Sequence, residues 1–358
     1  IIFNNLQIMD HITPLLVAFM STYGFIAICY KFAVSINLVD RPDNRKNHQG
    51  EVPVIGGIAI VFGFSLACLL SSRGLTEWRP LFFCMIPLVV VGVMDDHGDV
   101  SVSKRVGMQV ISCLVMIYYG NVRINNFGDL AGFGHPITFG GLESVITVFC
   151  VVGVINALNL IDGIDGLCAS LCLVTFGGIF ALAKLTGSSV SVSLLLYFSA
   201  ALFAFLIVNL GLTQRIVKKV FLGDAGTTII GFFLCWHLIR MSNGDNAVFR
   251  PITAVWLLAL PIMDTLAVMI RRIRSQQSPF RPGRDHIHHQ LMNIGFSSRK
   301  TLVILVAFSM SLVGVGVLCE VKEVPEPFMF YGILILFGLY YAGSEKLSRH
   351  TKIMRVDL

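Results

Sequence analysis

Charged side chains are scarce in these 358 residues: Asp, Glu, Lys and Arg together make up 13%, whereas 55% of the chain is hydrophobic. No polar stretch is long enough to fold as a separate soluble domain, so a single domain over 1–358 is expected. The nine cysteines all lie in apolar runs and include no CxxC pair, so they give no sign of a disulfide framework or a zinc site. Residues 1–11 lack a basic segment, and no small-residue cleavage pattern follows the first apolar run. A cleavable signal peptide is therefore not expected. Nothing in the composition calls for nucleic acid as a partner.

What remains is apolar sequence recurring from end to end. The runs near 12–30, 54–72, 81–94, 106–120, 144–161, 166–183, 190–209, 226–240, 252–270, 301–319 and 328–343 predict an all-α polytopic membrane protein with about eleven transmembrane helices. The third, fourth and eighth runs are short against the ~17 residues an untilted crossing needs. If the segments after the odd-numbered spans share one side, they hold 20 of the 27 Lys and Arg residues. The positive-inside rule then predicts a periplasmic N-terminus and a cytoplasmic C-terminus, with cytoplasmic loops near 31–53, 95–105, 210–225 and 271–300.

The most informative stretch is Asn156-Ala-Leu-Asn159-Leu-Ile-Asp162-Gly-Ile-Asp165-Gly. From Val145 to Ile161 the polar side chains are Thr147, Asn156 and Asn159 alone, and then two carboxylates arrive three residues apart beside glycines. Carboxylates are expensive in hydrocarbon and belong at a wet end or in a functional cavity, while glycine lets backbone approach a ligand. Two asparagines gluing helices and two aspartates in a solvated turn account for the stretch equally well.

Other motifs fall on the same predicted side. Met94-Asp95-Asp96-His97 closes span 3, with Lys104 and Arg105 beyond it. Adjacent carboxylates repel unless a cation or a partner separates them, and Mg²⁺ is the oxygen-seeking cation used with phosphates. Phe221-Leu-Gly-Asp224-Ala-Gly opens span 8 and places a carboxylate where a helix N-terminus attracts anions, or where Asp224 simply caps the helix. The first cytoplasmic loop is basic, and Lys46 is its candidate ligand contact, ahead of Arg41 and Arg45. Between Arg271 and Lys300, Arg284-Asp285-His286-Ile-His288-His289 precedes a helical apolar spacing. This predicts a short amphipathic helix capped by Asp285, with His286 and His289 on one face touching phosphate or nucleotide rather than zinc. Asp264 lies inside a span, and Arg271 or Arg272 is its expected partner. Residues 121–141, rich in Gly and Asn, suggest a short hairpin without chemistry.

Taken together and in order, the 40–50 loop with its PVIGG sequel, the MDD turn, NALNLIDGIDGL, FLGDAG, PIMDT and the HIHH segment resemble the polyprenyl-phosphate N-acetylhexosamine-1-phosphate transferase family over nearly the whole chain. The form SPFRPGRDHIHH is similar to the bacterial branch that makes undecaprenyl-diphosphate N-acetylglucosamine. The resemblance implies transfer of GlcNAc-1-phosphate from UDP-GlcNAc to undecaprenyl phosphate in the bacterial inner membrane, with release of UMP and a requirement for Mg²⁺ or Mn²⁺. The product would start O-antigen lipopolysaccharide or a related envelope glycan. It further implies Asp95 and Asp96 as catalytic acids, Asp224 with Asp96 at the metal, and Lys46, Asn156, Asn159, Asp162, Asp165, Asn209, Phe221, His286, His288 and His289 around the nucleotide and donor. Lys104 and Arg105 would meet the acceptor phosphate.

Anionic membrane lipids are expected neighbours, and a homodimer remains open. Within the family the alternatives are another UDP-acetamido sugar or UDP-MurNAc-pentapeptide as donor. Outside it the alternative is a transporter, whose ionisable residues would gather at the bilayer midplane rather than at one end.

Overall fold

A computed structural model describes residues 2–41, 50–71, 78–98, 100–188, 192–244, 247–279 and 283–356, with backbone alone at 2–11 and 349–356. Apart from one two-residue antiparallel strand pair, β1 (Val39–Asp40) with β2 (Val52–Pro53), the regular structure among these residues is helical. Apolar surroundings offer the backbone no water, so a chain of this composition satisfies its N–H and C=O groups within helices.

Where its residues are described, each of the eleven apolar runs is largely helical, the run 252–270 being divided between two helices. Six stretches are long and apolar enough to cross a bilayer: Ile12–Ser35 within α1 (Ile2–Ser35), α3 (Arg79–His97), α5 (Glu143–Ile161), α6 (Leu167–Leu185), α12 (Ser298–Val321), and Glu326–Ser348 within α13 (Glu326–Val356). A seventh is the pair α9 (Pro251–Leu257) and α10 (Ala259–Arg274), bent by 77°. The apolar helices α2 (Gly56–Leu70) and α7 (Ser193–Asn209) are shorter, and neither α4 (Val102–Tyr118) nor α8 (Gly223–Ser242) meets the criterion. α4 has only 17 residues, and α8, at 20 residues, is made less apolar by polar side chains that include Asp224, His237 and Arg240. The length and apolarity of the helices thus support six or seven crossings.

Pro261 explains the break between α9 and α10. It has no N–H for the Leu257 carbonyl four residues earlier, and its ring crowds that carbonyl. The orphaned oxygen accepts a bond from the Thr175 hydroxyl of α6 at 2.9 Å, so the break costs no unsatisfied acceptor.

The described chain forms two compact units. The first comprises 1–123, 144–155 and 189–236. In it α1 packs on α2 and α7, and α3 packs on α4. Phe64 is its fully buried centre, edge-on to Phe198 and Phe233, which stack on each other with centroids 3.9 Å apart. Small residues bring backbone together near the helix ends: a Cβ on Gly57 would collide with Gly226, and one on Gly92 with Ala225. Here the turn before α2 pairs with the turn before α8. Phe221 N–H donates to the Pro53 carbonyl at 2.9 Å, while Gly56 and Gly57 donate to the Phe221 and Leu222 carbonyls at 3.0 Å.

The second unit comprises 124–143, 156–188 and 237–358. There α6 and α9 pack on α12, and the short α11 (Ile287–Asn293) lies against α12 and α13. Arg250 holds Glu320 at 3.1 Å, and the Thr253 hydroxyl donates to the same carboxylate. The predicted hairpin is present as paired backbone bonds between Phe127, Gly128 and Ile137.

Candidate active site

In the first unit the C-terminus of α3 meets the N-terminus of α8, and three carboxylates gather there. Asp96 accepts the backbone N–H groups of Asp224 at 2.7 Å and Ala225 at 3.2 Å, one on each oxygen. The group at the N-terminus of α8 is therefore the side chain of the chain's own Asp96, which supplies the cap that Asp224 was expected to provide or a phosphate to occupy. Gly223, at φ +78°, makes the tight entry, and any Cβ there would crowd the Asp96 carboxylate.

Asp95 points elsewhere. Its oxygens accept Val100 N–H at 2.9 Å and Arg105 Nη1 at 2.7 Å, and its side chain is 6% exposed. Arg105 also stands 3.9 Å from Asp224 Oδ2, so one guanidinium serves two acids. Arg105 thus belongs to the acid cluster in this structure, while Lys104 is exposed at the start of α4. The Asp224 carboxylate, 37% exposed, is the most open of those Arg105 engages.

Nearby positions of the same unit have defined surroundings. Asn209 is buried and donates its amide to the Val220 carbonyl at 2.8 Å, bracing the loop that leads into α8. Phe221 is half-buried, with the Lys219 ammonium 4.8 Å above its ring. Lys46 and Asp99 lie outside the described residues.

The second unit holds a separate polar cluster. α5 ends at Ile161 and the DGIDG turn follows, closed by Gly163 N–H to the Ile161 carbonyl at 2.8 Å. Gly166, at φ +74°, then starts α6. Asn156, Asn159, Asp162 and Asp165 are half-buried along this passage. The histidine segment lies against the turn: a Cβ on Gly163 would collide with His288 Nε2. The glycine is needed because an imidazole occupies the space.

The histidine segment differs from its expected form in three respects. α11 begins at Ile287 with His286 at the cap position and no side-chain cap bond. Asp285 does not cap it, because its carboxylate pairs with Arg272 at 3.1 Å. Asp264, in turn, is held by neither Arg271 nor Arg272. It accepts His286 Nδ1 at 2.8 Å, Ile287 N–H at 3.0 Å and the Tyr340 hydroxyl at 2.9 Å. Arg271 is engaged by the Ser344 hydroxyl and the Asp285 carbonyl. Tyr340, one of three tyrosines in the apolar run 328–343, carried no signal that sequence reasoning could use.

His288 and His289 are packed ring to ring with centroids 4.1 Å apart. Burial, together with the neighbouring His289, pushes the His288 pKa down to about 3. Burial and the Arg284 charge push His289 down to about 4. Both are neutral at physiological pH. Because the folded values lie below the ordinary ~6.5, the unfolded chain takes up protons first on acidification. Their contribution is therefore full above about pH 7 and declines as pH falls through 6.5 towards 4. The slope approaches about 1.4 kcal/mol per pH unit for each histidine. Thermal unfolding of detergent-solubilised protein between pH 8 and 5 should show this decline, and His288→Gln should flatten it. An unchanged slope in the variant would remove His288 from the linkage.

Carboxylate oxygens are the right donors for a hard divalent cation. Among the described residues no group of three or more His, Cys, Asp or Glu side chains is arranged to hold an ion by itself. Mg²⁺ does not require one, since one or two carboxylates plus substrate phosphates and water suffice. The donor set at Asp224 and Asp96 fits such an ion.

Residues 78–242 match glycosyl transferase family 4. The chain is 35% identical over 329 residues to the undecaprenyl-phosphate alpha-N-acetylglucosaminyl 1-phosphate transferase of Yersinia pestis, covering 92% of this chain and 90% of that one. The enzymes of the same name from Escherichia coli K12 and Haemophilus influenzae are 36% and 35% identical, over 92% and 95% of this chain and 89% and 95% of theirs. This chain belongs to the polyprenyl-phosphate N-acetylhexosamine-1-phosphate transferase family. For a transferase of this family the match over 78–242 takes in the acid cluster and the DGIDG turn. The histidine segment is reached by the full-length relatives, whose similarity extends across more than nine-tenths of the chain.

Proposed function

We propose that the protein transfers GlcNAc-1-phosphate from UDP-GlcNAc to undecaprenyl phosphate, giving undecaprenyl-diphosphate-GlcNAc and UMP. The observation that carries this reading is similarity at 35–36% identity over at least 92% of the chain to enzymes named for that reaction. The acid cluster supplies a matching chemistry. Phosphoryl transfer depends chiefly on alignment and on neutralising charge at the transferred group. Asp224 and Asp96 would hold Mg²⁺ or Mn²⁺, which when bound supplies Lewis-acid neutralisation of phosphate oxygens.

The acceptor is a phosphate monoester with a second pKa of ~6, so at neutral pH most of it is dianionic and needs little help from a base. Asp95, fixed by Arg105 and Val100, is suited to orienting the acceptor or taking a proton from its minority monoanion. Arg105 balances part of the carboxylate charge. The neutral His288 and His289, with His286, contact a phosphate or the nucleotide.

The finer topology belongs to the same proposal: about eleven membrane passages, a periplasmic N-terminus and the acids on the cytoplasmic face of the inner membrane. It is supported by the excess of Lys and Arg in the segments after the odd-numbered runs. Entry of the product into O-antigen or a related envelope glycan follows from the same reading.

A single assay tests it. Purified protein with UDP-GlcNAc, undecaprenyl phosphate and Mg²⁺ should release UMP and form a lipid-linked sugar diphosphate. Release of UDP instead would mean sugar transfer without the phosphate, and turnover with a different UDP-acetamido sugar alone would reassign the donor. No turnover with any sugar nucleotide would return a transporter to consideration.

A further inference from the structure

The environment of His286 is unusual on both sides of its ring. On one side, Nδ1 meets the buried Asp264 carboxylate at 2.8 Å. On the other, Nε2 is buried with no hydrogen-bond partner among the described residues, as are both ring nitrogens of His288 and Oε1 of Gln290. An unsatisfied buried polar atom costs roughly 1–3 kcal/mol, and several within five residues call for an explanation. Asp264 itself is fully occupied as an acceptor, with Oδ1 shared by Ile287 N–H and the Tyr340 hydroxyl and Oδ2 taken by His286. Two fixed donors thus hold the carboxylate from α11 and α13 while its remaining oxygen faces the imidazole.

We propose that Asp264, oriented by Tyr340, is a positioning residue of the transfer reaction: it fixes the His286 ring with its proton on Nδ1 and keeps Nε2 as the nitrogen available to substrate. A carboxylate oxygen engaged in this way can only accept, so Nδ1 must donate whether the imidazole is neutral or charged. The backbone bond to Ile287 places the same carboxylate at the first turn of α11, so the orientation of the ring and the position of the helix that carries His288 and His289 have one anchor. The inference rests on the reading that the histidine segment contacts substrate. It adds an acid from within a membrane helix and a tyrosine that no motif marks.

Asp264→Asn is the discriminating change. The amide keeps an oxygen for Ile287 N–H and Tyr340 O–H but turns an NH₂ group towards Nδ1. The ring keeps its place, and its proton moves to Nε2. The variant should melt within a few degrees of wild type and lose about 100-fold in kcat/KM, the scale seen when a histidine's orienting partner is changed. Nitrogen-15 spectra of histidine-labelled protein should show His286 as the Nδ1–H form in wild type and the Nε2–H form in the variant. Tyr340→Phe, which leaves the Asp264–His286 bond, should change kcat/KM less than tenfold and keep the wild-type spectrum.

An Nε2–H form in wild type would overturn the proposal without reference to activity and even if Asp264→Asn failed to fold. Wild-type kcat/KM in a folded Asp264→Asn with the inverted tautomer would overturn it as well. Absence of UMP release by the wild-type protein would instead count against the function and leave the tautomer result standing as a separate observation.

Discussion

Asp224→Asn should lower the turnover of UDP-GlcNAc by roughly 10²–10³-fold, the scale expected when a preorganised charge that stabilises a transferring phosphoryl group is removed. The structure sharpens the reason. A residue at the start of a helix is often there to cap it, and loss of activity on mutation would then report misfolding. At α8 the amides of Asp224 and Ala225 are bonded by Asp96, so the capping carboxylate is the one on α3. The Asp224 side chain is more than a third exposed and shares Arg105 with Asp95. The variant should therefore unfold at nearly the wild-type temperature while its rate and its response to Mg²⁺ collapse together. A variant with wild-type rate and unchanged Mg²⁺ dependence would remove Asp224 from the site.

Asp96 should behave differently, and two substitutions separate its contributions. Asp96→Ala leaves two amides at the N-terminus of α8 without their acceptor, a loss of about 1–3 kcal/mol by analogy with caps and unsatisfied donors. Because α8 carries Asp224, activity should fall with it. Asp96→Asn keeps an acceptor oxygen for one of the two amides and turns an NH₂ group towards the other, so it should recover only part of the stability. The rate should remain roughly 10²-fold down, since the amide restores one bond but not the charge that the proposed cation would use. Unfolding curves and UMP release measured on both variants decide the matter. If Asp96→Asn turned over at the wild-type rate, Asp96 would be a structural cap and the cation would belong to Asp224 without it.

Apolar runs announced the helices because a bilayer leaves the backbone one local solution, and each run is largely helical where its residues are described. Which runs are long and apolar enough to cross was less legible, since α4 stops at 17 residues and α8 mixes apolar residues with Asp224, His237 and Arg240. The bend at α9 and α10 was foreshadowed by Pro261 alone, and its tolerance depends on Thr175, more than eighty residues away in the chain. The acids were visible as motifs, but their pairings were not. Asp96 reaches amides 128 and 129 residues distant. For Asp264, Arg271 or Arg272 was the expected partner as the nearest basic residues in sequence, but the tertiary fold brought in His286 and Tyr340 and gave the arginines to Asp285 and Ser344. Local periodicity carries information over a few turns, and these partners lie outside its range.

The bond between Asp96 and the first amides of α8 bears on how the protein is made. At a synthesis rate of roughly 5–20 residues per second, the 128 residues that separate Asp96 from Asp224 take about 6–25 s to emerge. During that interval α3 has its acidic end but not the helix whose N-terminus receives it, and the turn at Pro53 to Gly57 likewise waits for Phe221 and Leu222. The nascent chain therefore carries this acidic edge as an unfinished surface while four further apolar runs, 106–120, 144–161, 166–183 and 190–209, are produced. A ribosome stalled before residue 221, or a truncated message, would leave α1 to α7 with Asp95 still held by Arg105 but Asp96 without its amides, the kind of exposed polar defect that membrane quality control can detect.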